Sequence, residues 1–302
     1  LPISVAGATI NRFCGSSMQA IHMAAGAIQM GAGDVFICAG VESMSRVPMS
    51  GFNPMPNPAL CESMPAAYMS MGETAENVGR EYAISREEQE VFAVASQHKA
   101  AEAQGKGRLS DEIVPIAING SSVDEDGCLR PTTDLEGLAG LKLAFDENGT
   151  VTAGTSSSLT DGAAATLVCS EDYAERASLR PLARIKSIAV AGCAPEIMGI
   201  GPVDSSKKAM KRAGITADDL DVIELNEAFS SQSLAAIQDL ELDIAKINVD
   251  GGALALGHPL GATGARITGK AAQILRRDGG RYALSTQCIG GGQGIATVLE
   301  AA

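Results

Sequence analysis

The segment around Cys14 combines a cysteine with small neighbours. Gly15, Ser16 and Ser17 follow it where an apolar run gives way to a helical pattern. A cysteine at a helix N-terminus faces unpaired backbone N–H groups and the positive end of the helix dipole, and each lowers a thiol pKa. The pattern predicts a reactive thiolate at Cys14, although a free cysteine can also serve simply as a small buried apolar residue.

His258 lies in the glycine-rich segment 250–264, between a predicted strand and a predicted helix. Such turns carry functional residues more often than packing residues. Imidazole is the natural base for a thiol, so His258 is the candidate partner of Cys14. The other histidines, His22 and His98, fall within helical patterns and are expected to be structural or exposed.

Cys288 and Asn226 each follow a predicted strand. Cys288 precedes Gly290, Gly291 and Gly292, so it could act as an acid or base, or it could be incidental to a glycine-rich turn. Helix N-capping would by itself explain Asn226. Because α/β sheets place ligands at strand ends, the four segments together favour one active site at that edge.

The elements that must position these residues follow from apolar patterns. Leu1–Phe13 and Asp34–Gly40 are predicted strands, and Ser85 with Glu88 forms a capping box that opens a helix towards Gly105. From Gly162 onwards strands alternate with helices, among them a helix predicted from Asp204 to Arg212 and ended by Gly214. This alternation predicts a mainly parallel sheet.

A second set of patterns concerns the loops and the symmetry. Pro48–Pro65 is rich in proline and is expected to be irregular, and Ile113–Ile118 is expected to be a strand. The strands at 34–37 and 221–224 resemble each other, which suggests two related halves.

Composition excludes several classes of protein. The 23 basic and 36 acidic residues give a net charge of −13, which argues against nucleic acid as a partner. No apolar run approaches the roughly 20 residues of a membrane span. The seven cysteines form no Cys-x-x-Cys pairs, so neither disulfides nor a metal site is expected, and a reducing, cytoplasmic location fits. The chain begins at Leu1, so a targeting segment cannot be judged from it.

Four segments resemble, in order and spacing, the active-site motifs of thiolases: Asn11–Ser17, Asn226–Phe229, Gly257–Pro259 and Cys288–Gly292. The resemblance implies the α/β thiolase fold, in which two duplicated halves form a five-layered αβαβα arrangement with an inserted loop subdomain. The implied boundaries are 1–47 for the remainder of the N-terminal half with the nucleophile, 48–153 for the loop subdomain and its return, 154–180 for the end of that half, and 181–302 for the C-terminal half.

The resemblance also implies a role for each motif residue. Cys14 would take the acyl group, His258 would deprotonate it, and Cys288 would move the proton to and from the acetyl-CoA carbanion. Asn226 would hold a water that completes one oxyanion hole with His258. The N–H groups of Cys14 and Gly290 would form the second hole.

CoA is implied as a co-substrate, with no further cofactor and no metal. Six residues match positions that contact CoA or line its tunnel: Ser157, Arg130, Ala153, Phe145, Phe229 and Met71. The implied protein is an acyltransferase of fatty-acid β-oxidation and lipid metabolism that forms a homodimer or homotetramer and binds no membrane.

Two departures from the family pattern leave alternatives open. Ser70 precedes Met71, where acetoacetyl-CoA-forming thiolases commonly have histidine, so a degradative enzyme of broad chain length is expected and the biosynthetic one is the alternative. Thiolases also have two strand–helix units ahead of the strand leading to the nucleophile, so this chain is expected to be part of a longer one. The remaining alternatives are a ketoacyl synthase, against which Cys288 speaks, and an inactive or lipid-binding thiolase-like protein.

Overall fold

Two antiparallel strand pairs and one four-stranded sheet carry the helices in the computed structural model, which describes residues 1–302. The helices are α1 (Ser16–Gln29), α2 (Pro58–Ser63), α3 (Met71–Glu81), α4 (Arg86–Gly105), α5 (Leu135–Ala139), α6 (Glu171–Arg176), α7 (Gly201–Ala213), α8 (Ser230–Leu240), α9 (Ala253–Leu256) and α10 (Leu260–Asp278). The strands are β1 (Val35–Ser43), β2 (Ile116–Ile118), β3 (Ser121–Val123), β4 (Asp161–Cys169), β5 (Ala183–Gly192), β6 (Val222–Leu225), β7 (Tyr282–Ile289) and β8 (Gln293–Ala301).

The elements form layers. The four-stranded sheet has the order β5-β8-β7-β6, and α7 and α8 cover one of its faces. Helices α1 and α10 pack against each other between this sheet and the β1-β4 pair. No helix is both long and apolar enough to cross a membrane.

The main core lies between the four-stranded sheet and its outer helices. It includes Ile223 and Leu225 of β6, Leu284 of β7, Met210 of α7 and Leu240 of α8. All residues of β6 and β7 are buried. Apart from Glu224 and Gln287, these strands consist mainly of apolar or small residues, as strands covered on both faces do.

Several predicted helices are confirmed with small changes of boundary. Ser85 and Glu88 form the reciprocal capping box at the start of α4. α7 ends at Gly214, which has the left-handed backbone (φ 72°) that glycine adopts without strain. Helix α3 was not predicted, although Ser70 and Glu73 form a second capping box at its start and carried the signal.

Other predictions are wrong. Leu1–Phe13 is not a strand: residues 1–12 have no helix or strand, their side chains are largely exposed, and a short 3-10 turn covers Phe13–Gly15. A strand needs hydrogen bonds to a neighbour, and this segment has no strand partner. The proline-rich segment contains α2, and only Ile116–Ile118 of the predicted 113–118 strand pairs.

The sheet is also not mainly parallel. Only β6 and β7 pair in parallel, whereas β1-β4, β5-β8 and β7-β8 are antiparallel. The alternation of helices and strands does not determine strand direction here, because β7 connects directly to β8 through a hairpin, which makes these two strands antiparallel.

The structure also corrects the proposed internal equivalence. β1 follows α1 and pairs antiparallel with β4, as β7 follows α10 and pairs antiparallel with β8. β6, by contrast, has a parallel partner. The strand at 34–37 is therefore matched by β7 and not by the strand at 221–224.

Candidate active site

The N-terminal turns of α1 and α10 meet in the centre of the molecule. The Ser17 hydroxyl of α1 accepts a hydrogen bond from the Ala265 N–H of α10 at 2.8 Å. A Cβ added to Gly264 would overlap the backbone nitrogen of Met18, so the two helices approach this closely only because Gly264 has no side chain. Cys14 lies just before α1, and His258 lies just before α10.

Backbone N–H groups surround the sulfur of Cys14. Cys14 is buried, and the backbone N–H groups of Cys14 itself and of Gly290 both act on its sulfur in the direction that lowers its pKa. The Gln287 side-chain amide donates to the Cys14 carbonyl, which fixes the turn from the β7 side. These contacts hold the sulfur at a point where N–H groups of two separate segments converge.

The prediction of a lowered thiol pKa at Cys14 is wrong. The pKa of Cys14 is raised to about 11, chiefly by burial and to a smaller extent by the Glu42 carboxylate, while the two backbone N–H groups only partly oppose this. Removal from water penalises the thiolate more than the N–H groups stabilise it. Cys14 is therefore a neutral thiol at rest.

His258 supplies a neutral imidazole. Burial lowers the pKa of His258 to about 3, and the positive charge of Arg266 lowers it as well. Nδ1 lies 2.6 Å from the Thr263 hydroxyl, and Nε2 lies 3.4 Å from Nδ2 of Asn226. Since the amide nitrogen donates, Nε2 carries the lone pair in this arrangement.

Asn226 is not a helix cap. Helix α8 begins at Ser230 with Phe229 at the N-cap position, so the capping interpretation of Asn226 is wrong. Its amide nitrogen faces His258, while its Oδ1 is buried without a hydrogen-bond partner in the protein. Asn226 therefore presents one free acceptor beside the imidazole.

Cys288 lies on β7 and is buried against Met71, Met198 and Phe229. Burial raises its pKa well above the ordinary value, and a charge on Cys14 raises it further. The two thiols therefore interact electrostatically and would not both be thiolates at once.

The structure brings most predicted CoA-contact residues to the Cys288 side. Met71 lies beside Gly290, with its sulfur 3.3 Å from the Cβ position of that glycine. Phe145 and Phe229 stack edge to face with ring centroids 6.0 Å apart. Ser157 donates its N–H to the Ala228 carbonyl at 3.0 Å, next to Phe229.

Two further residues complete that set. Ala153 is exposed in the 3-10 turn Ala153–Thr155. Arg130 is exposed and lies apart from this group, where its backbone N–H donates to Gln97 of α4.

The remaining histidines have structural or surface positions, as predicted. His22 is buried with Nε2 2.9 Å from the Thr297 hydroxyl. His98 is exposed. No cluster of three or more His, Cys, Asp or Glu side chains has metal-binding geometry, and all seven cysteines are free.

Two family models match nearly the whole chain. The model of the thiolase N-terminal domain matches residues 1–172, and that of the thiolase C-terminal domain matches residues 179–301. The chain belongs to the thiolase family.

Individual thiolases are similar over almost all of this chain. The 3-ketoacyl-CoA thiolase of Idiomarina loihiensis is 50% identical over 311 residues, which cover 99% of this chain and 80% of the relative. That of Bacillus subtilis is 45% identical over 313 residues, with 99% and 80% covered.

Solved thiolases also share the fold. The crystal structure of human mitochondrial 3-ketoacyl-CoA thiolase superposes with a TM-score of 0.91 at 42% identity, covering 99% of this chain and 80% of that one. The same human enzyme in complex with CoA gives 0.89 at 42% identity, covering 97% and 78%. The α/β architecture described above is therefore the thiolase fold.

Sequence reasoning missed the residues that hold this thiolase site in place. Thr263 orients His258, Thr160 accepts the His258 N–H at 3.1 Å, and Gln287 binds the Cys14 carbonyl. Thr263 could have been found, because it lies in the same glycine-rich segment as His258. Thr160 and Gln287 act across long sequence separations, so no local pattern marks them.

Proposed function

We propose that the chain catalyses the reversible cleavage of 3-ketoacyl-CoA by CoA, giving acetyl-CoA and a shortened acyl-CoA through an acyl-enzyme on Cys14. The observation that supports this proposal is that Cys14 and His258 stand at the starts of two helices in direct contact, with the Gly290 N–H acting on the Cys14 sulfur and the Asn226 amide beside the His258 imidazole. Names of relatives at 45–50% identity support the same activity.

The first half-reaction begins with Cys14 as a neutral thiol and His258 as a neutral imidazole. Nε2 of His258 takes the Cys14 proton as the sulfur attacks the 3-keto carbon. The bond between C2 and C3 then breaks, and its electron pair goes to C2. The Cys288 thiol protonates that carbon, acetyl-CoA leaves, and Cys14 keeps the shortened acyl group.

The second half-reaction returns the enzyme to its resting state. The Cys288 thiolate takes the proton of the CoA thiol, whose sulfur attacks the acyl group on Cys14. The shortened acyl-CoA leaves, and the Cys14 sulfur regains its proton from His258. All protons are accounted for, and no redox step or metal is needed.

Two groups of donors would stabilise negative oxygens along this path. The protonated Nε2 of His258 and a water held by the free Oδ1 of Asn226 would face one oxygen. The N–H groups of Cys14 and Gly290 would face the other. One preorganised donor in a buried site stabilises the transition state by about 3 kcal/mol.

The degradative subtype is also part of this proposal. Ser70 caps α3 through its side chain and precedes Met71, so the imidazole typical of acetoacetyl-CoA-forming relatives is replaced by a small capping hydroxyl. Substrates of several chain lengths, a cytoplasmic location and a homodimer or homotetramer complete the proposed description.

Trapping the acyl-enzyme tests the proposal. Incubation with acetyl-CoA should add one acetyl group to the peptide that contains Cys14, and thiolysis of acetoacetyl-CoA and longer 3-ketoacyl-CoA should be measurable. Cys14→Ala should lose both signals, whereas Cys169→Ala, on β4 away from the site, should retain them. Acetylation at another cysteine, or turnover that survives Cys14→Ala, would refute the assignment.

A further inference from the structure

The N-terminus of each central helix packs against the strand that follows the other helix: β1, which follows α1, contacts α10, and β7, which follows α10, contacts α1. The end of β1 packs against the start of α10, where a Cβ on Gly40 would overlap the Gly261 carbonyl oxygen. The end of β7 packs against the start of α1, where a Cβ on Gly15 would come within 2.5 Å of Cδ1 of Ile289. The catalytic turns are thus each built against the opposite half of the molecule.

One position of these two strands carries residues of opposite chemistry. Counted from Val35 and Tyr282, which begin their strands, Glu42 on β1 and Ile289 on β7 hold the same position. The Glu42 carboxylate accepts the Gly261 N–H, in the first turn of α10, at 2.8 Å. Ile289 offers only methyl groups to Gly15.

Because of Glu42, a carboxylate caps the N-terminus of α10 but not that of α1. α10 receives an anionic cap, which satisfies a free N–H group and complements the positive end of the helix dipole. α1 has no acidic residue in its first turn. No side chain caps α1 either, because its N-cap residue is Gly15.

Thr160 holds the other side of the same turn. Its hydroxyl accepts the His258 N–H at 3.1 Å and donates to the Ser158 carbonyl at 2.6 Å. Gly162 lies against Pro259, with 2.9 Å from its Cβ position to Cγ of the proline. Glu42 of β1 and Thr160, the residue before β4, therefore accept the Gly261 and His258 N–H groups of this turn.

We propose that Glu42 is a positioning residue for His258, because it caps α10 from the neighbouring sheet and so fixes the turn that carries the imidazole. This inference rests on the proposed roles of Cys14 and His258. Glu42 also has an electrostatic effect: its carboxylate acts on Cys14 in the direction that favours the thiol, after burial itself. The nucleophile thus stays protonated until His258 accepts its proton.

Two substitutions separate the hydrogen bond from the charge. Glu42→Gln keeps an oxygen that accepts the Gly261 N–H but removes the negative charge. Alkylation of Cys14 by iodoacetamide, followed by peptide mass mapping across pH, should therefore shift to lower pH. Glu42→Ala removes the cap, so kcat for acetoacetyl-CoA thiolysis should fall by roughly tenfold or more because the imidazole is misplaced, while KM for CoA changes little.

Glu175→Gln, an exposed change on α6, is the matched control and should behave as wild type in both assays. A wild-type kcat in Glu42→Ala, or a kcat in Glu42→Gln as low as that of Glu42→Ala, overturns the proposal, because Glu42→Gln keeps the cap. Should Glu42→Ala fail to fold, Glu42→Asp, whose carboxylate is one methylene shorter and withdraws from the Gly261 N–H, replaces it in the same kcat measurement. Absence of thiolysis in the wild-type protein would instead refute the proposed function.

Discussion

The hydroxyl oxygen of Thr263 lies 2.6 Å from Nδ1 of His258 and 3.1 Å from the Pro259 carbonyl, to which it donates its proton. Its remaining lone pairs accept the Nδ1–H of His258. This contact selects the tautomer in which Nε2 is unprotonated and free to accept a proton. A contact within the first turn of α10 therefore sets the tautomer of the imidazole.

Removing this hydroxyl should slow the enzyme without weakening substrate binding. Thr263→Val keeps the shape but leaves Nδ1–H without an acceptor, so kcat should fall by about tenfold or more while KM for CoA changes little. Thr263→Ser keeps the hydroxyl and should stay close to wild type. Steady-state kinetics of both variants, with circular dichroism as the folding check, measure this. A wild-type kcat in Thr263→Val would show that the tautomer is set elsewhere.

Local sequence signals predicted the parts of the structure that depend on near neighbours. Ser85 with Glu88 predicted the start of α4, and Gly214 predicted the end of α7. Cys14 and His258 were singled out because each joins a reactive side chain to small residues, and the structure places both just before a helix, as predicted. These features are fixed within one or two helical turns, so a single segment contains the information.

Long-range relationships were not predictable in the same way. An apolar run at Leu1–Phe13 fits a strand, but strand formation depends on a partner that the run itself does not specify. The pKa of Cys14 was predicted in the wrong direction because the helix N-terminus is visible in sequence, whereas the burial that outweighs it is a property of the fold. The contact of Glu42 with Gly261 joins residues 219 positions apart and was not visible either.

The resting protonation states predict a broad pH profile for acylation. The pKa of His258 is lowered to about 3 and that of Cys14 is raised to about 11, so the neutral thiol and the free base coexist between these values. Acetylation of the enzyme by acetyl-CoA, followed by rapid quench, should therefore proceed at a nearly constant rate from about pH 5 to about pH 9.

The alternative is that His258 and Cys14 have the pKa values of ordinary, solvent-exposed side chains. An imidazole of ordinary pKa would be protonated below about pH 6.5 and would lose its basicity there. A fall in the acetylation rate between pH 7 and pH 5 would thus contradict the neutral pair. Far-ultraviolet circular dichroism at each pH separates loss of fold from loss of the base.

Cys288 should be needed for proton transfer at carbon but not for acylation. Cys288 is buried in the same cluster as Phe229 and Met71, and the proposed base of Cys14 is His258, not Cys288. Cys288→Ala should acetylate Cys14 with acetyl-CoA while exchange of the acetyl α-hydrogens with deuterated water falls by at least about a hundredfold. Equal loss of acetylation and exchange would assign Cys288 a structural role.

The crossing of α1 and α10 gives the last prediction, because two glycines in these helices have opposite surroundings. A Cβ at Gly264 would overlap the Met18 backbone, whereas a Cβ at Gly26 has open space around it. Gly264→Ala must push the helices apart, so it should destabilise the protein by about 1–3 kcal/mol and lower kcat as Cys14 and His258 separate. Gly26→Ala should instead stabilise it by about 0.5–1 kcal/mol, since alanine restricts the unfolded chain more than glycine does, and should leave kcat unchanged. Urea unfolding and steady-state kinetics of both variants provide the measurements. Equal stability of the two would mean that the helices can shift without cost and that Gly264 does not set their spacing.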